Sequence, residues 1–125
     1  VYALIGLKWI SAKLSNSISN KTFGIDNSRN TYYLDVSAVI PLNEKTNFLL
    51  HAGRQRYRGN NSGVSNDELY TYNDYKAEIS TNFASRWSAG LGFTTTDAHD
   101  VGYFVANTGK NIGDDRGYVF IKRTF

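Results

Sequence analysis

The sequence has no cysteine and no methionine, and only one proline among its 125 residues. Without cysteine there is no disulfide framework, no thiolate zinc site and no thiol nucleophile. No apolar run approaches the ~20 residues that a membrane helix needs, and mean hydropathy is −0.42. A helical span is therefore excluded. A barrel span is not, because a strand crosses with ~9–11 residues of which only alternate ones are apolar. A strong excess of one charge is also missing: 14 Lys and Arg stand against 11 Asp and Glu, for a net +3, and the basic residues are scattered. Nucleic acid is not an expected partner. Position 1 is not Met and no signal peptide is visible. Val1-Tyr2-Ala3-Leu4-Ile5 opens inside an apolar stretch, as a processed precursor or part of a longer chain would.

What the chain does have is aromatic residues and alternation. Nine tyrosines, seven phenylalanines and two tryptophans fall mostly in segments where apolar and polar residues take turns, the period of a strand. Seven strands are predicted, near 1–8, 11–20, 31–42, 47–58, 74–83, 87–98 and 116–125. Short turns at Trp9-Ile10, 43–46 and 84–86 alternate with long polar loops at 21–30, 59–73 and 100–115. Such a rhythm describes an up-and-down meander rather than a Greek key. One parity of the strand at 74–83 reads Tyr75, Ala77, Ile79, Thr81, Phe83, and the other Asp74, Lys76, Glu78, Ser80, Asn82. Trp87, Ala89, Leu91 and Phe93 similarly oppose Ser88, Gly90, Gly92 and Thr94. A soluble sandwich also alternates. Here, however, small Ala and Thr interrupt the apolar parity and aromatics flank it, which suits lipid with an aromatic girdle better than a packed core. The strands are also longer than the usual ~5–6 residues of soluble domains.

The chain ends Arg116-Gly117-Tyr118-Val119-Phe120-Ile121-Lys122-Arg123-Thr124-Phe125, which looks like the last strand of a Gram-negative outer-membrane barrel. Val119, Ile121 and Phe125 would form the signal read by the barrel insertion machinery, while Arg123 departs from the apolar parity and would snorkel. Further segments carry a more specific likeness: Ser11-Ala12-Lys13-Leu14 to Ser19, Tyr32-Tyr33-Leu34-Asp35-Val36, and His51-Ala52-Gly53-Arg54-Gln55. They continue with Tyr72 to Ser80, Gly90 to Ala98, and Lys122-Arg123-Thr124-Phe125. On these the chain resembles the C-terminal half of the TorF-type putative porins, a family of small outer-membrane barrels. The resemblance implies a chain about twice this length, with no catalytic residues and no cofactor.

The expected fold is therefore all-β, an antiparallel up-and-down transmembrane β-barrel with about seven strands visible in residues 1–125. Seven strands cannot stand alone in a bilayer, since unsatisfied edge groups there cost several kcal/mol each. Missing N-terminal strands or other chains must close the barrel. The expected lumen face carries Lys8, Lys13, Asp35, His51, Lys76, Glu78 and Lys122, with Asp74 near one mouth. These charges either set a field for ion passage or pair across strands in a filled barrel. Leu49 shares that parity. Arg54, Arg56 and Arg58 lie on the apolar parity near the outer rim, placed either to clamp lipopolysaccharide phosphates or to face water. Asp97, His99, Asp100, Asp114 and Asp115 flank the last long loop without a metal-ligand spacing, which reads as solvated charge. A hydrolase would need His51 or His99 beside a nucleophilic serine and an acid, and no serine has a distinctive setting. The residues Gly59-Asn60-Asn61-Ser62-Gly63 are an exposed loop and not a phosphate loop. The expected function is a porin-like channel for passive diffusion of small hydrophilic solutes or ions. The alternative is a non-conducting barrel acting as a structural or adhesion anchor, or as a subunit of a larger assembly. Exposed aromatics at Leu69-Tyr70-Thr71-Tyr72 and Tyr103-Phe104-Val105 would serve the anchor.

Overall fold

Seven antiparallel strands in sequence order make one sheet: β1 (Tyr2–Leu7), β2 (Ile10–Asn16), β3 (Tyr32–Pro41), β4 (Thr46–Arg56), β5 (Tyr72–Ala84), β6 (Trp87–Thr96) and β7 (Arg116–Arg123). This computed structural model describes residues 1–105, 109–111 and 113–125, with the backbone alone at 101, 104, 105 and 111. The all-β architecture and the meander follow the alternation of the sequence. Each strand pairs with its neighbour in the chain, and the sheet stays open, with β1 bonded only to β2 and β7 only to β6. No helix among the described residues is long and apolar enough to cross a membrane.

The connections at one end are tight for identifiable reasons. Lys8-Trp9 joins β1 to β2, with Lys8 at φ 53°. The Asn43 carboxamide oxygen accepts the backbone N–H groups of Lys45 and Thr46 at 2.9 Å each, a side-chain turn that asparagine makes readily. Arg86 at φ 67° turns β5 into β6. A register irregularity at Trp87/Ser88 places an extra residue on β5 there.

At the other end the loops carry structure of their own. Lys21–Thr22 pairs with Ile25–Asp26 around Phe23-Gly24, and Asn60–Asn61 pairs with Val64–Ser65 around Ser62-Gly63. All four turn residues have positive φ, as two-residue hairpin turns require. A short helix, α1 (Asn66–Tyr70), follows the second hairpin, and α2 (Asp100–Tyr103) lies in the last long loop. The predicted strand over 11–20 leaves the ladder after Asn16. Beyond it Ser17 bonds the backbone of Thr31, and its hydroxyl accepts from Thr22 at 2.7 Å.

These two loops are stitched by buried polar groups. The Asn66 amide donates to the carbonyls of Asp26 and Arg58, both at 3.0 Å. Ser28 donates to the Ile25 carbonyl and accepts from the Thr22 backbone N–H. Asn66, Ser28 and Thr31 are almost wholly buried. Gly59 lies at φ 79° with the Asn27 carbonyl where a Cβ would stand, so both backbone conformation and contact demand glycine.

Register fixes two faces. Residues directly opposite in adjacent strands share a face. One face reads Ile5, Ala12, Val36, Ala52, Tyr75, and further along Leu50, Ala77, Phe93. The other reads Leu4, Lys13, Asp35, Gly53, Asp74, Thr96. The apolar face is uncovered: Ile5 is 73%, Leu91 59% and Val119 84% exposed. Among the described residues Tyr57 is the one buried apolar side chain, and the others buried with it are polar. The sheet thus has no hydrophobic core of its own.

Candidate functional site

The polar face gathers its charged groups into two linked clusters. In the first, His51 on β4 stands between two carboxylates. Its Nε2 is 2.8 Å from Asp74 Oδ1 on β5, and its Nδ1 is 3.3 Å from Asp35 Oδ1 on β3. Ser37 Oγ bridges the second contact, 3.0 Å from His51 Nδ1 and donating to Asp35 at 2.7 Å. The Tyr33 hydroxyl donates to both Asp74 oxygens, at 3.1 and 3.0 Å, and lies 3.1 Å from His51 Nε2. In the second cluster Lys76 Nζ is 2.8 Å from Glu78 Oε2, which also accepts from the Tyr118 hydroxyl at 2.6 Å. Lys76 lies 5.5 Å over the Tyr118 ring.

Sheet geometry explains why these residues meet. Ser37 opposes His51 and Asp35 opposes Gly53 on β4; His51 opposes Lys76 and Gly53 opposes Asp74 on β5. Gly53 leaves open the space over which the Tyr33 hydroxyl reaches Asp74; any Cβ there would collide with both groups. Removing that bulk from the middle of a strand costs backbone entropy, and here the vacancy lets a hydrogen bond span two strands.

The expected lumen residues are thereby sorted. Lys13, Asp35, His51, Lys76, Glu78 and Lys122 share the polar face, and Lys122 opposes Ser88. Leu49 shares it too, opposite Val39 and Glu78. Lys8 does not. It occupies the β1–β2 turn, where its ammonium lies 4.0 Å over the Trp9 ring, and its positive φ takes it off strand parity. Tyr33, Ser37 and Tyr118 were not singled out from the sequence. Their parity alone was readable, whereas their convergence depends on register.

Ser37, His51 and Asp74 stand in hydrogen-bonding succession, the pattern a hydrolase would need. The Ser37 proton is directed to Asp35, and both β3 and β4 are paired on each side. Backbone N–H groups there are committed to ladders and offer no oxyanion site. The arrangement is a row of paired charged and polar side chains across the polar face. Among the described residues no three His, Asp or Glu side chains converge to hold a metal ion.

Arg54, Arg56 and Arg58 all have partners in the chain. Arg54 donates to Asn73 at 3.1 Å, Arg56 to Asp67 at 3.2 Å, and Arg58 lies 5.9 Å over the Tyr32 ring. The Asp67 carboxyl is held below its ordinary range, first by the Thr71 hydroxyl at 2.6 Å, against burial, and then by Arg56. At Asp97 burial pushes upward but is outweighed by donors from Asn73 and by the Arg54 charge, so its pKa is also lowered. Asp115 accepts from the Thr95 hydroxyl.

The loop aromatics pack on one another. Tyr70 lies 5.6 Å from Tyr57 and 6.5 Å from Tyr103, and Tyr72 lies 5.4 Å from Tyr103 edge to face. The Tyr103 hydroxyl donates to the Tyr70 carbonyl at 2.6 Å. The side chains of Phe104 and Val105 lie outside the described residues. On β7, Val119 and Ile121 are on the apolar face; Phe125 follows the strand, tied on by the Thr124 N–H to the Arg86 carbonyl at 2.9 Å.

Comparison with known proteins gives one relationship. Residues 1–125 match Gcw_chp, a family described as a bacterial protein of unknown function, and the chain belongs to that family. No curated protein and no solved structure matches the chain.

Proposed function

We propose that this member of the Gcw_chp family forms part of the wall of an outer-membrane β-barrel, a porin-like channel for passive diffusion of small hydrophilic solutes or ions. One observation carries the reading. A seven-stranded sheet has a continuous apolar face with nothing covering it and an opposite face lined by paired charges. A water-soluble sheet of this size has to bury its apolar face against a second layer, and the described residues supply none. Lipid covers such a face, and water meets the other.

Further observations fit. Short turns lie at one end and long loops at the other, the asymmetry of an outer-membrane barrel with its turns in the periplasm. Val119 and Ile121 on β7 and Phe125 just after it are strongly exposed, as an insertion signal would be, and the TorF-type porin likeness belongs with this reading. Closure comes from further strands, N-terminal or on other chains. Arg54, on the apolar parity above the lipid band, is the arginine best placed for a lipopolysaccharide phosphate. The lumen charges act by screening and steering ions, without cofactor or turnover.

Bilayer conductance of the detergent-extracted native protein tests the channel. Discrete ohmic steps are expected, and a membrane-inserted protein that gives none would sink the reading. The packed tyrosines at Tyr57, Tyr70, Tyr72 and Tyr103 favour a constricted mouth. Shortening the 57–71 loop should then raise the step size, whereas loss of adhesion at unchanged conductance would favour the anchor.

A further inference from the structure

One row of side chains crosses the polar face near the looped end. Tyr2 opposes Ser15, Ser15 opposes Tyr33, Tyr33 opposes Gln55, and Gln55 opposes Tyr72. Strands are ~4.8 Å apart, so tyrosines on alternate strands recur about every 10 Å, with a hydroxyl or a carboxamide between them. The row floors a recess of about 640 Å³ beside the Lys21–Asp26 hairpin, whose Phe23 also borders it. That volume is in the range of small-molecule sites.

Gln55 is the unexplained residue. It is 6% exposed, lines the recess, and its carboxamide makes no side-chain hydrogen bond among the described residues. Arg56 Nε and Asn66 Oδ1 are the sealed side-chain atoms without a partner among the described residues, whereas the Gln55 carboxamide remains accessible. Its two donors and one acceptor point to a ligand that supplies them. The rings beside it are fixed in advance: Tyr33 by its hydroxyl bonds to Asp74, and Tyr72 edge-on to Tyr103. No Asp or Glu lines the recess, and the lysine that does, Lys21, is paired with Asp26 at 3.1 Å.

We propose that this recess binds an uncharged pyranose sugar, stacked on the tyrosine rings and hydrogen-bonded by Gln55. A pyranose has an apolar C–H face and a rim of hydroxyls that both donate and accept. Aromatic rings alternating with polar side chains match both parts. With no carboxylate and no unpaired lysine lining it, the recess offers no side-chain charge that would favour an ionic solute. The inference rests on the channel reading only in placing the recess at the solute entrance.

Binding is measured on the whole native protein in detergent, by saturation-transfer NMR and calorimetry, with glucose, maltose, sucrose and lactose as probes and glutamate and lysine as charged controls. At least one sugar should bind with millimolar affinity. Gln55→Ala and Tyr72→Ala should each weaken it about tenfold or more, with folding checked by circular dichroism. Gln55→Glu, which keeps the shape, and Tyr2→Ala on the exposed edge serve if the alanine variants do not fold. No saturable sugar binding, equal binding of the charged controls, or unchanged affinity in the folded variants would each overturn the proposal. Conductance recorded in parallel separates the two ideas. Conductance without sugar binding defeats the site alone, and sugar binding without conductance defeats the channel alone.

Discussion

The guanidinium of Arg123 stands 5.4 Å over the ring of Trp87, across the β6–β7 pair and on the apolar face. The same guanidinium lies 4.9 Å over the Phe125 ring. A cation on the apolar face is thus accommodated by aromatic rings at the turn end of the sheet, the place where the proposed bilayer would give way to headgroups. Arg123→Ala should lower stability by about 0.5–1 kcal/mol, read from urea unfolding in lipid vesicles by tryptophan fluorescence. Arg123→Lys should recover part of the loss. An unchanged midpoint for Arg123→Ala would mean that the stacking contributes nothing.

Leu91 in the middle of β6 separates a lipid environment from water. Leu91→Arg on an uncovered sheet in water would cost almost nothing. In a bilayer a midplane arginine costs about 2–4 kcal/mol. Folding yields of this variant into vesicles should fall accordingly, while Thr94→Arg, on the opposite face, should be tolerated. Equal yields for the two would argue against lipid on the apolar face.

How much of this was readable beforehand depends on the length scale of the signal. The period-two alternation gave the seven strands and their two faces, because a strand's side chains report their face by parity alone. It could not place Lys8, whose turn breaks parity, nor end β2 at Asn16, where the chain leaves the ladder for bonds to Thr31 and Thr22. The charges of the wall were legible as a list. That His51 would sit between Asp35 and Asp74, with Tyr33 reaching across Gly53, depends on pairing register, which single-strand patterns do not encode. The buried Asn66 and Ser28 lie in segments whose composition says only loop.

His51 keeps two carboxylates of the wall apart. His51→Ala leaves Asp35 and Asp74 facing the same water, at a cost of about 1 kcal/mol for the hydrogen bonds lost. In a conducting barrel it should also move the reversal potential in a salt gradient toward cations. Lys76→Met, which frees Glu78, should shift it the same way. A shift toward anions in either variant would contradict the assignment of these groups to the lumen.

Acid should loosen the 57–71 loop through Asp67. Its folded pKa lies below the unfolded value, so its contribution is complete above the ordinary carboxylate range, near ~4. It is lost as pH falls through the depressed folded value. Thr71 resonances followed by NMR should report this with a midpoint below that range, and Asp67→Asn should abolish it. A midpoint at the ordinary value would show that the Thr71 and Arg56 contacts do not hold in solution.

The open sheet also carries a rule of arithmetic. Six antiparallel steps separate β1 from β7, so the two free edges point the same way along the strand axis. A ring sealed entirely by antiparallel seams can then be completed only by an odd number of additional strands. A second copy turned about the membrane normal would supply seven, yet its edge strands would meet β1 and β7 head to head in parallel. If the proposed barrel closes by antiparallel seams alone, the added strands must begin and end running opposite to these two edges. That selects its partner by direction before any side chain is consulted.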